Sequence, residues 1–245
     1  MERAVVFGAT SAMAQELVRS LASRCASLFL VARDEGKLAA VAADARVRGA
    51  AAVDTVSADL NDTARFDEIL SRAEAVLGNV DLIVVAQGLL GDTARCEASM
   101  AEAELVLRTN FVAPALLLSI AGGRLAERGG GTLVAISSVA GDRGRQSNYF
   151  YGAAKGGLTT FLGGLRNRLF RRGVHVVTVK PGFVDTPMTA GMKKNALFVP
   201  PSAVAESIVR AVELRRDVVY VPWFWRVIML LVRLVPERMF KRMST

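Results

Sequence analysis

In the segment SNYFYGAAKGGL, residues 147–158, Tyr151 stands four residues before Lys155 with only glycine and alanine between them. On a helix, positions i and i+4 share a face and can touch. A free phenol has a pKa of about 10, which makes it a poor base and a weak acid at neutral pH. A neighbouring ammonium favours the phenolate and draws that value down. A proton donor works best when its pKa lies near the working pH, so the pair can serve as a tuned acid. The same spacing also suits an amphipathic helix with a half-buried Tyr and a solvated Lys, and these residues alone leave both readings open.

A proton donor is useful only if a fold holds it against its reaction partners. Seven short apolar runs recur along the chain: 4–9, 28–32, 52–60, 81–86, 132–137, 175–180 and 217–221. Helical stretches separate them: QELVRSLASR, EGKLAAVAADAR, ARFDEILSRAEAVL, AELVLRTNFVAPALLLSIAGGRLAE and AAKGGLTTFLGGLRNRLFRR. Continuously apolar strands alternating with helices predict an α/β fold, a doubly wound parallel sheet of Rossmann type with helices on both faces. One domain is expected over residues 1–220, followed by an apolar and basic helical tail over 221–245. In such sheets ligands bind beyond the carboxyl ends of the strands, so function should lie in the loops there.

The first of those loops reads GATSAMAQ, with small residues at Gly8, Ala12 and Ala14. Small side chains let backbone approach a pyrophosphate and let the next helix present its N-terminus to it. A full dinucleotide fingerprint has glycine at all three places, so this one is degenerate, and an ordinary strand–turn–helix fits it equally. The second strand ends in Ala32 and Arg33 where an NAD site wants a carboxylate. A guanidinium there welcomes a 2′-phosphate and favours NADP(H) over NAD(H), although a surface Arg paired with Asp34 or Glu35 has the same sequence. Asp59 in SADL can accept a hydrogen bond from an adenine amino group.

Composition narrows the classes. Half of the 245 residues are hydrophobic, and a little over a fifth are charged, a globular profile. The net charge of +8 is spread along the chain and concentrates only at the C-terminal end. No basic run is interleaved with aromatics as in a nucleic-acid platform. Cys25 and Cys96 lie far apart without metal-ligand spacing, so neither a metal site nor a disulfide framework is expected, and a cytoplasmic setting is the simplest. The apolar strand that opens the chain does not resemble a secretory signal. His175, the lone histidine, begins a core strand and reads as a packing or surface residue.

The motifs GATSAMA, SADL, RTNF, ISSVAG, YGAAK and KPGFVDT, in that order, resemble the short-chain dehydrogenase/reductase family over residues 3–215. The resemblance implies a catalytic group of Asn110, Ser138, Tyr151 and Lys155. In it Tyr151 donates a proton, Ser138 binds the carbonyl oxygen, Lys155 lowers the phenol pKa and holds the nicotinamide ribose, and Asn110 helps to hold a water beside the lysine. Ser137 is then structural, and Tyr149, two residues out of register, a pocket or packing residue. The implied cofactor contacts are Gly8, Thr10, Ser11, Ala12, Met13, Ala14, Arg33, Asp59, Leu60, Ala86, Gly88, Pro181, Gly182, Val184 and Thr186, with Tyr151 and Lys155. Leu89, Tyr149, Phe183, Met188, Met192 and Phe198 are the expected substrate contacts. Where the family often carries Asn-Asn-Ala-Gly, this chain reads VAQG at 85–88 and keeps only the glycine. VAQGLLGD, SNYFYGAAKGGL and the VPW…PERMFKRM tail resemble the branch that reduces decaprenylphosphoryl-2-keto-ribose, which implies a lipid-linked keto-sugar. Steroid, fatty-acyl or small xenobiotic ketones are the alternatives. A non-catalytic nucleotide sensor is a third reading, and the complete catalytic group argues against it. By the same analogy the protein forms a homo-oligomer.

Residues 187–200 are expected to form a mobile lid, with Met188, Met192, Leu197 and Phe198 apolar and adaptable. Lys193 and Lys194 suit either a phosphate or a solvated surface. In the tail, residues 223–235 are apolar except for Arg226 and Arg233. A helix of that length spans about 20 Å, short of the roughly 30 Å hydrocarbon core. With Trp223, Phe224 and Trp225 at one end and Arg238, Lys241 and Arg242 beyond, residues 222–243 suit a helix lying on an anionic membrane face. Packing on the protein's own substrate lobe or on another subunit is the competing expectation.

Overall fold

A computed structural model describes residues 1–24 and 27–243; Cys25 lies outside the described residues. All seven apolar runs form strands: β1 (Arg3–Phe7), β2 (Ser27–Ala32), β3 (Ala52–Ser57), β4 (Leu82–Val85), β5 (Gly131–Ile136), β6 (Val174–Pro181) and β7 (Val218–Val221). They pair in parallel in the order β3-β2-β1-β4-β5-β6-β7. The chain reverses direction of travel at β1 and β4, which creates the crevice where ligands bind in open α/β sheets.

Ten helices accompany the sheet among the described residues: α1 (Ala12–Ala22), α2 (Glu35–Val47), α3 (Phe66–Leu77), α4 (Thr93–Ala98), α5 (Met100–Leu107), α6 (Ala113–Glu127), α7 (Tyr149–Phe170), α8 (Pro201–Glu213), α9 (Trp225–Leu234) and α10 (Glu237–Phe240). Strand alternation distributes them over two faces. Ala4 and Val6 of β1 point to one face and meet Leu17 of α1, Leu38 of α2 and Ile208 of α8. Val5 and Phe7 point to the other and meet Ile69 of α3, Leu117 of α6 and Leu162 of α7.

The single long helix expected over 103–127 is instead three pieces. A π-helical turn, Arg108–Val112, joins α5 to α6 and carries the buried Asn110. π-bulges commonly mark functional positions. The run Met100–Glu127 is long and apolar enough to cross a membrane by composition. Leu117, Leu118 and Leu125 in it form the core beneath the sheet instead. Two helices, α4 and α8, have no counterpart among the expected elements. For α8 the signal was present in the spacing of Val204, Ala205, Ile208 and Val209, all buried.

One seam positions the site. The short 3₁₀ turn Val139–Asp142, which follows β5, lies directly on α7. A β-carbon on Gly141 would fall 2.6 Å from both the Gly156 nitrogen and the Lys155 carbonyl carbon. One on Gly152 would fall 3.0 Å from the Ala140 oxygen, and one on Gly156 3.0 Å from the Gly141 oxygen. The small residues around Tyr151 and Lys155 therefore let two backbones touch. Gly141→Ala forces that seam apart. Overpacking of this kind costs about 1–3 kcal/mol, which a urea titration reads as a lower midpoint. Turnover should fall further than the unfolded fraction accounts for, because Ser138 and Tyr151 move out of register. A variant with unaltered stability and turnover contradicts the close contact.

Candidate active site

The carboxyl ends of the strands open onto a cavity of about 410 Å³. A second, of about 230 Å³, adjoins it. Thr10, Ser11, Gln87 and Gly88 line both, so the two form one groove.

At the nucleotide end, Gly8 has φ +77°, a left-handed conformation that favours glycine. A β-carbon there would lie 2.7 Å from the Gln87 nitrogen. The turn thus brings bare backbone to the N-terminus of α1. Ser11 caps that helix, its Oγ accepting from the Ala14 N–H at 3.3 Å. Ala12 and Met13 line the larger cavity, while Ala14 is buried beneath it and packs in the core. Gly8, Ala32, Arg33, Asp59 and Leu60 line the smaller cavity. Asp34, the nearest carboxylate along the chain, is turned away to cap α2, accepting from Lys37 N at 2.9 Å. Asp59 Oδ1 accepts from the Asn61 N–H at 2.9 Å. These residues fit a dinucleotide: a glycine cradle that a β-carbon would fill, a helix N-terminus, and a guanidinium with no carboxylate pairing it among the described residues.

Ser138, Tyr151 and Lys155 line the larger cavity together. Ser138 lies two residues past β5 and caps the 3₁₀ turn, its Oγ accepting from the Ala140 N–H at 3.1 Å. Ser137 beside it points away, donating to the Lys155 carbonyl at 2.9 Å, and is structural. Lys155 is buried, with Nζ donating to the Ile136 carbonyl at 2.8 Å and lying 5.8 Å from the centre of the Tyr151 ring. Asn110 is fully buried. Its Nδ2 donates to the Leu89 and Val106 carbonyls at 2.6 and 2.8 Å, and its Oδ1 accepts from the Leu89 N–H at 3.1 Å. Asn110 thus clamps the loop after β4 to the π turn. Gly88 faces this assembly: a β-carbon on it would meet Asn110 Oδ1 at 3.3 Å and Lys155 Nζ at 3.7 Å. Where VAQG departs from the family pattern, Gln87 supplies the support, its Nε2 donating to the Thr109 carbonyl at 3.1 Å.

The electrostatics depart from the expectation of a phenol made acidic. Burial pushes the Tyr151 pKa up to about 12, opposed by the Ser138 hydroxyl. Burial pulls Lys155 down to about 7. The ammonium one turn away does not overcome desolvation, and the phenol holds its proton firmly.

Of the remaining expected contacts, Ala86, Gly88, Pro181, Gly182, Val184 and Thr186 line the larger cavity, as do Phe183, Met188 and Met192. Leu89, Tyr149 and Phe198 do not. Leu89 is held by its backbone on Asn110; Phe198 stacks on Phe183 with centroids 5.2 Å apart; and Tyr149 donates its hydroxyl to Glu97 at 2.8 Å on the outer side of α7. Lys194 pairs with Asp185 at 2.7 Å, and Lys193 is exposed. His175 is buried with both ring nitrogens unbonded among the described residues, and burial lowers its pKa. Sequence reasoning missed Arg145 and Asn148, which line the cavity between Ser138 and Tyr151. It also missed a buried link beneath the site: Asp142 accepts from Lys180 Nζ and, at 2.9 Å, from the Tyr220 hydroxyl, joining the Ser138 turn to β6 and β7.

The two shifted groups act on stability with opposite signs. Between pH 7 and about 10.5, Lys155 is charged in the unfolded chain and losing its charge in the folded one. The unfolded state binds the extra proton, so stability contributed by this group rises with pH. Above pH 10, Tyr151 keeps in the folded state a proton that the unfolded chain releases, and its contribution falls. Urea midpoints measured from pH 6 to 10 should show a positive slope for the wild type relative to Lys155→Met. Parallel profiles would remove the buried, readily deprotonated lysine.

The family model for short chain dehydrogenases matches residues 2–196. An uncharacterized oxidoreductase of Mycobacterium tuberculosis is 39% identical over 239 residues, covering 98% of this chain and 96% of the relative. One from Streptomyces coelicolor is 35% identical over 240 residues, covering 98% and 94%. Among solved structures, a Burkholderia cenocepacia short chain dehydrogenase in complex with NADP superposes with a TM-score of 0.83 at 19% identity over 100% of this chain and 98% of that one. A variant of the actinorhodin polyketide ketoreductase with NADPH gives 0.78 at 26%, over 89% and 94%. With the parallel seven-stranded sheet and the Ser138–Tyr151–Lys155 wall already in place, these matches show that the chain belongs to the short-chain dehydrogenase/reductase family of oxidoreductases.

Proposed function

We propose that the protein is an NADP(H)-dependent carbonyl reductase, running in reverse as an alcohol dehydrogenase. The observation that carries this reading is the wall shared by Ser138, Tyr151 and Lys155, which continues into the glycine cradle at Gly8. The bound nicotinamide supplies a hydride to the carbonyl carbon of the substrate. This chain's residues manage the proton. Tyr151, protonated at neutral pH, gives its hydroxyl hydrogen to the carbonyl oxygen as the C–O double bond becomes single. Ser138 Oγ–H donates to the same oxygen and holds the carbonyl against Tyr151. Lys155, 5.8 Å from the centre of the Tyr151 ring, would stabilise the phenolate left behind and hold the ribose hydroxyls of a bound cofactor. Gly88 keeps this space open, and Val184 and Thr186, which line it, would hold the carboxamide.

Arg33 beside Ala32 supports NADP(H), as do the nucleotides named for the two structural neighbours. The apolar side chains of Phe183, Met188 and Met192 support a substrate with a lipid or other hydrophobic part, a lipid-linked keto-sugar among them, and exposed Leu116 on α6 supports assembly into a homo-oligomer.

A specific observation favours a membrane surface as a further partner. Helix α9 buries Trp225 and Met229 against Val139 and Phe183. Its other side leaves Val227, Leu230, Leu231 and Leu234 exposed, with Trp223 preceding them. Arg226 and Arg233 lie along one edge of that strip, Arg238, Lys241 and Arg242 follow it in the chain, and all five are exposed. An apolar strip edged and followed by cations matches an anionic bilayer interface. The helix thus packs on its own protein and still presents a face outward.

Two measurements test these readings. NADPH and NADH oxidation across a ketone panel should show turnover with NADPH preferred, Arg33→Ala should reduce that preference, and Tyr151→Phe should abolish turnover while still binding NADPH in a fluorescence titration. Normal turnover by Tyr151→Phe removes the proton-donor assignment. In vesicle flotation the protein should rise with anionic vesicles and not with neutral ones, and Leu231→Glu with Leu234→Glu should abolish this. A wild type that stays at the bottom of the gradient with anionic vesicles removes the membrane reading.

A further inference from the structure

Arg145 lies between the Ser138 turn and the start of α7 and lines the larger cavity beside Ser138, Asn148 and Tyr151. Its guanidinium is half-buried, yet its only hydrogen-bond acceptor among the described residues is the thioether of Met229, at 3.4 Å. A thioether is a weak acceptor, and a guanidinium carries five donors. The contrast with other partly buried arginines is direct. Arg166 donates to the Val176 and Asp217 carbonyls and to Thr178 Oγ1. Arg124 pairs with Asp67 and Glu74. Arg143, two residues away, reaches three carbonyls of the tail and Glu237. The carboxylate nearest in sequence to Arg145, Asp142, is already held by Lys180 and Tyr220.

A charge drawn out of water without a partner is costly, and such costs are retained where a ligand supplies the partner. Burial also weakens Arg145's hold on its proton, in line with an unmet charge. Its position excludes the cofactor phosphates as that partner. The phosphate cradle lies at the β1 end of the groove, whereas Met229 belongs to α9, packed against the 3₁₀ turn after β5 and beside β7. Arg145 therefore faces the substrate half of the groove, next to the groups that act on the carbonyl. Asn148, on the same wall, has a buried Oδ1 without a protein partner among the described residues and can accept from a substrate hydroxyl.

We infer that Arg145 is the anion-recognising residue of the substrate site, and that the physiological ketone carries a carboxylate or phosphate held by this guanidinium while its carbonyl meets Ser138 and Tyr151. The inference rests on the reductase reading above and adds the substrate's charge to it. Bidentate guanidinium–oxyanion geometry fits both anions.

The test uses matched pairs of ketones: a keto acid against its methyl ester, and a phosphorylated keto-sugar against the unphosphorylated sugar. The full-length protein is assayed with NADPH, and kcat/KM is compared within each pair. The wild type should prefer the anionic member of at least one pair by about ten- to a hundredfold, the usual strength of hydrogen bonds to a charged group. The responding pair identifies the carboxylate or the phosphate. Arg145→Met should bring that ratio close to one, chiefly through KM of the anionic member, and Arg145→Lys should restore part of it. Because the ratio is taken within one protein preparation, partial misfolding cancels. A wild type that turns over both members of every pair equally, or an Arg145→Met variant that keeps the preference, overturns the anion site and leaves the reductase reading standing. A panel in which no ketone is reduced by any of the three proteins overturns both.

Discussion

Backbone touching backbone sets the geometry of this site. The turn after β5 and the first two turns of α7 meet at Gly141, Gly152 and Gly156, where no β-carbon fits without displacing a neighbour. Ser138 lies on one side of that seam, with Tyr151 and Lys155 on the other. Their relative positions are therefore set by hard contact between main chains and not by flexible side chains. Protein interiors resist such displacement because they are packed to crystal-like density. Ser137 reinforces the same seam by donating to the Lys155 carbonyl. Catalytic groups held within a fraction of an ångström are what proton transfer during hydride transfer requires.

That close approach has an electrostatic consequence. Sealing Tyr151 and Lys155 between the turn and the sheet removes water from both, and desolvation acts on each toward its neutral form. The phenol goes up to about 12 and the ammonium down to about 7. A tyrosine in this state is a weaker acid than a free phenol. The buried pair thus shows the opposite of the acidified phenol that the i, i+4 spacing suggests.

Much of this was legible in the sequence because it rests on local pattern. The seven strands are apolar runs bounded by turns, and each forms a strand within a few residues of its expected limits. Ser138, Tyr151 and Lys155 come together as their motifs imply. What escaped depended on tertiary direction. Tyr149 and Tyr151 sit two apart on one helix, roughly 200° apart around its axis, so one faces the cavity and the other reaches Glu97. Phe198 is apolar and near the cavity, but it stacks behind Phe183. Arg145, in a loop of polar residues, looks like any solvated arginine until the fold shows that no oxygen of the described residues meets it. The π turn at Asn110 escaped because its extra residue only shifts the apolar phase within a helix that continues on both sides.

The residues just past the seam connect the site to the tail. Asp142 is tied beneath the sheet's edge to Lys180 of β6 and Tyr220 of β7. Arg143 turns the other way. Its guanidinium donates to the Val232 and Val235 carbonyls at the C-terminal end of α9, where unsatisfied carbonyls and the helix dipole favour a cation. It also lies 3.8 Å from the centre of the Phe240 ring. From the other end of α9, Trp225 packs against Gly182, where a β-carbon would overlap its indole nitrogen. The tail helix is thus bound both to the turn that carries Ser138 and to the loop that carries Val184 and Thr186. Its inner side packs Trp225 and Met229 against Val139 and Phe183, and its outer side exposes Val227, Leu230, Leu231 and Leu234. A ketone with a hydrophobic portion and an anionic head would meet both properties on this one helix: an apolar surface outside, and within, the Met229 thioether against the Arg145 guanidinium.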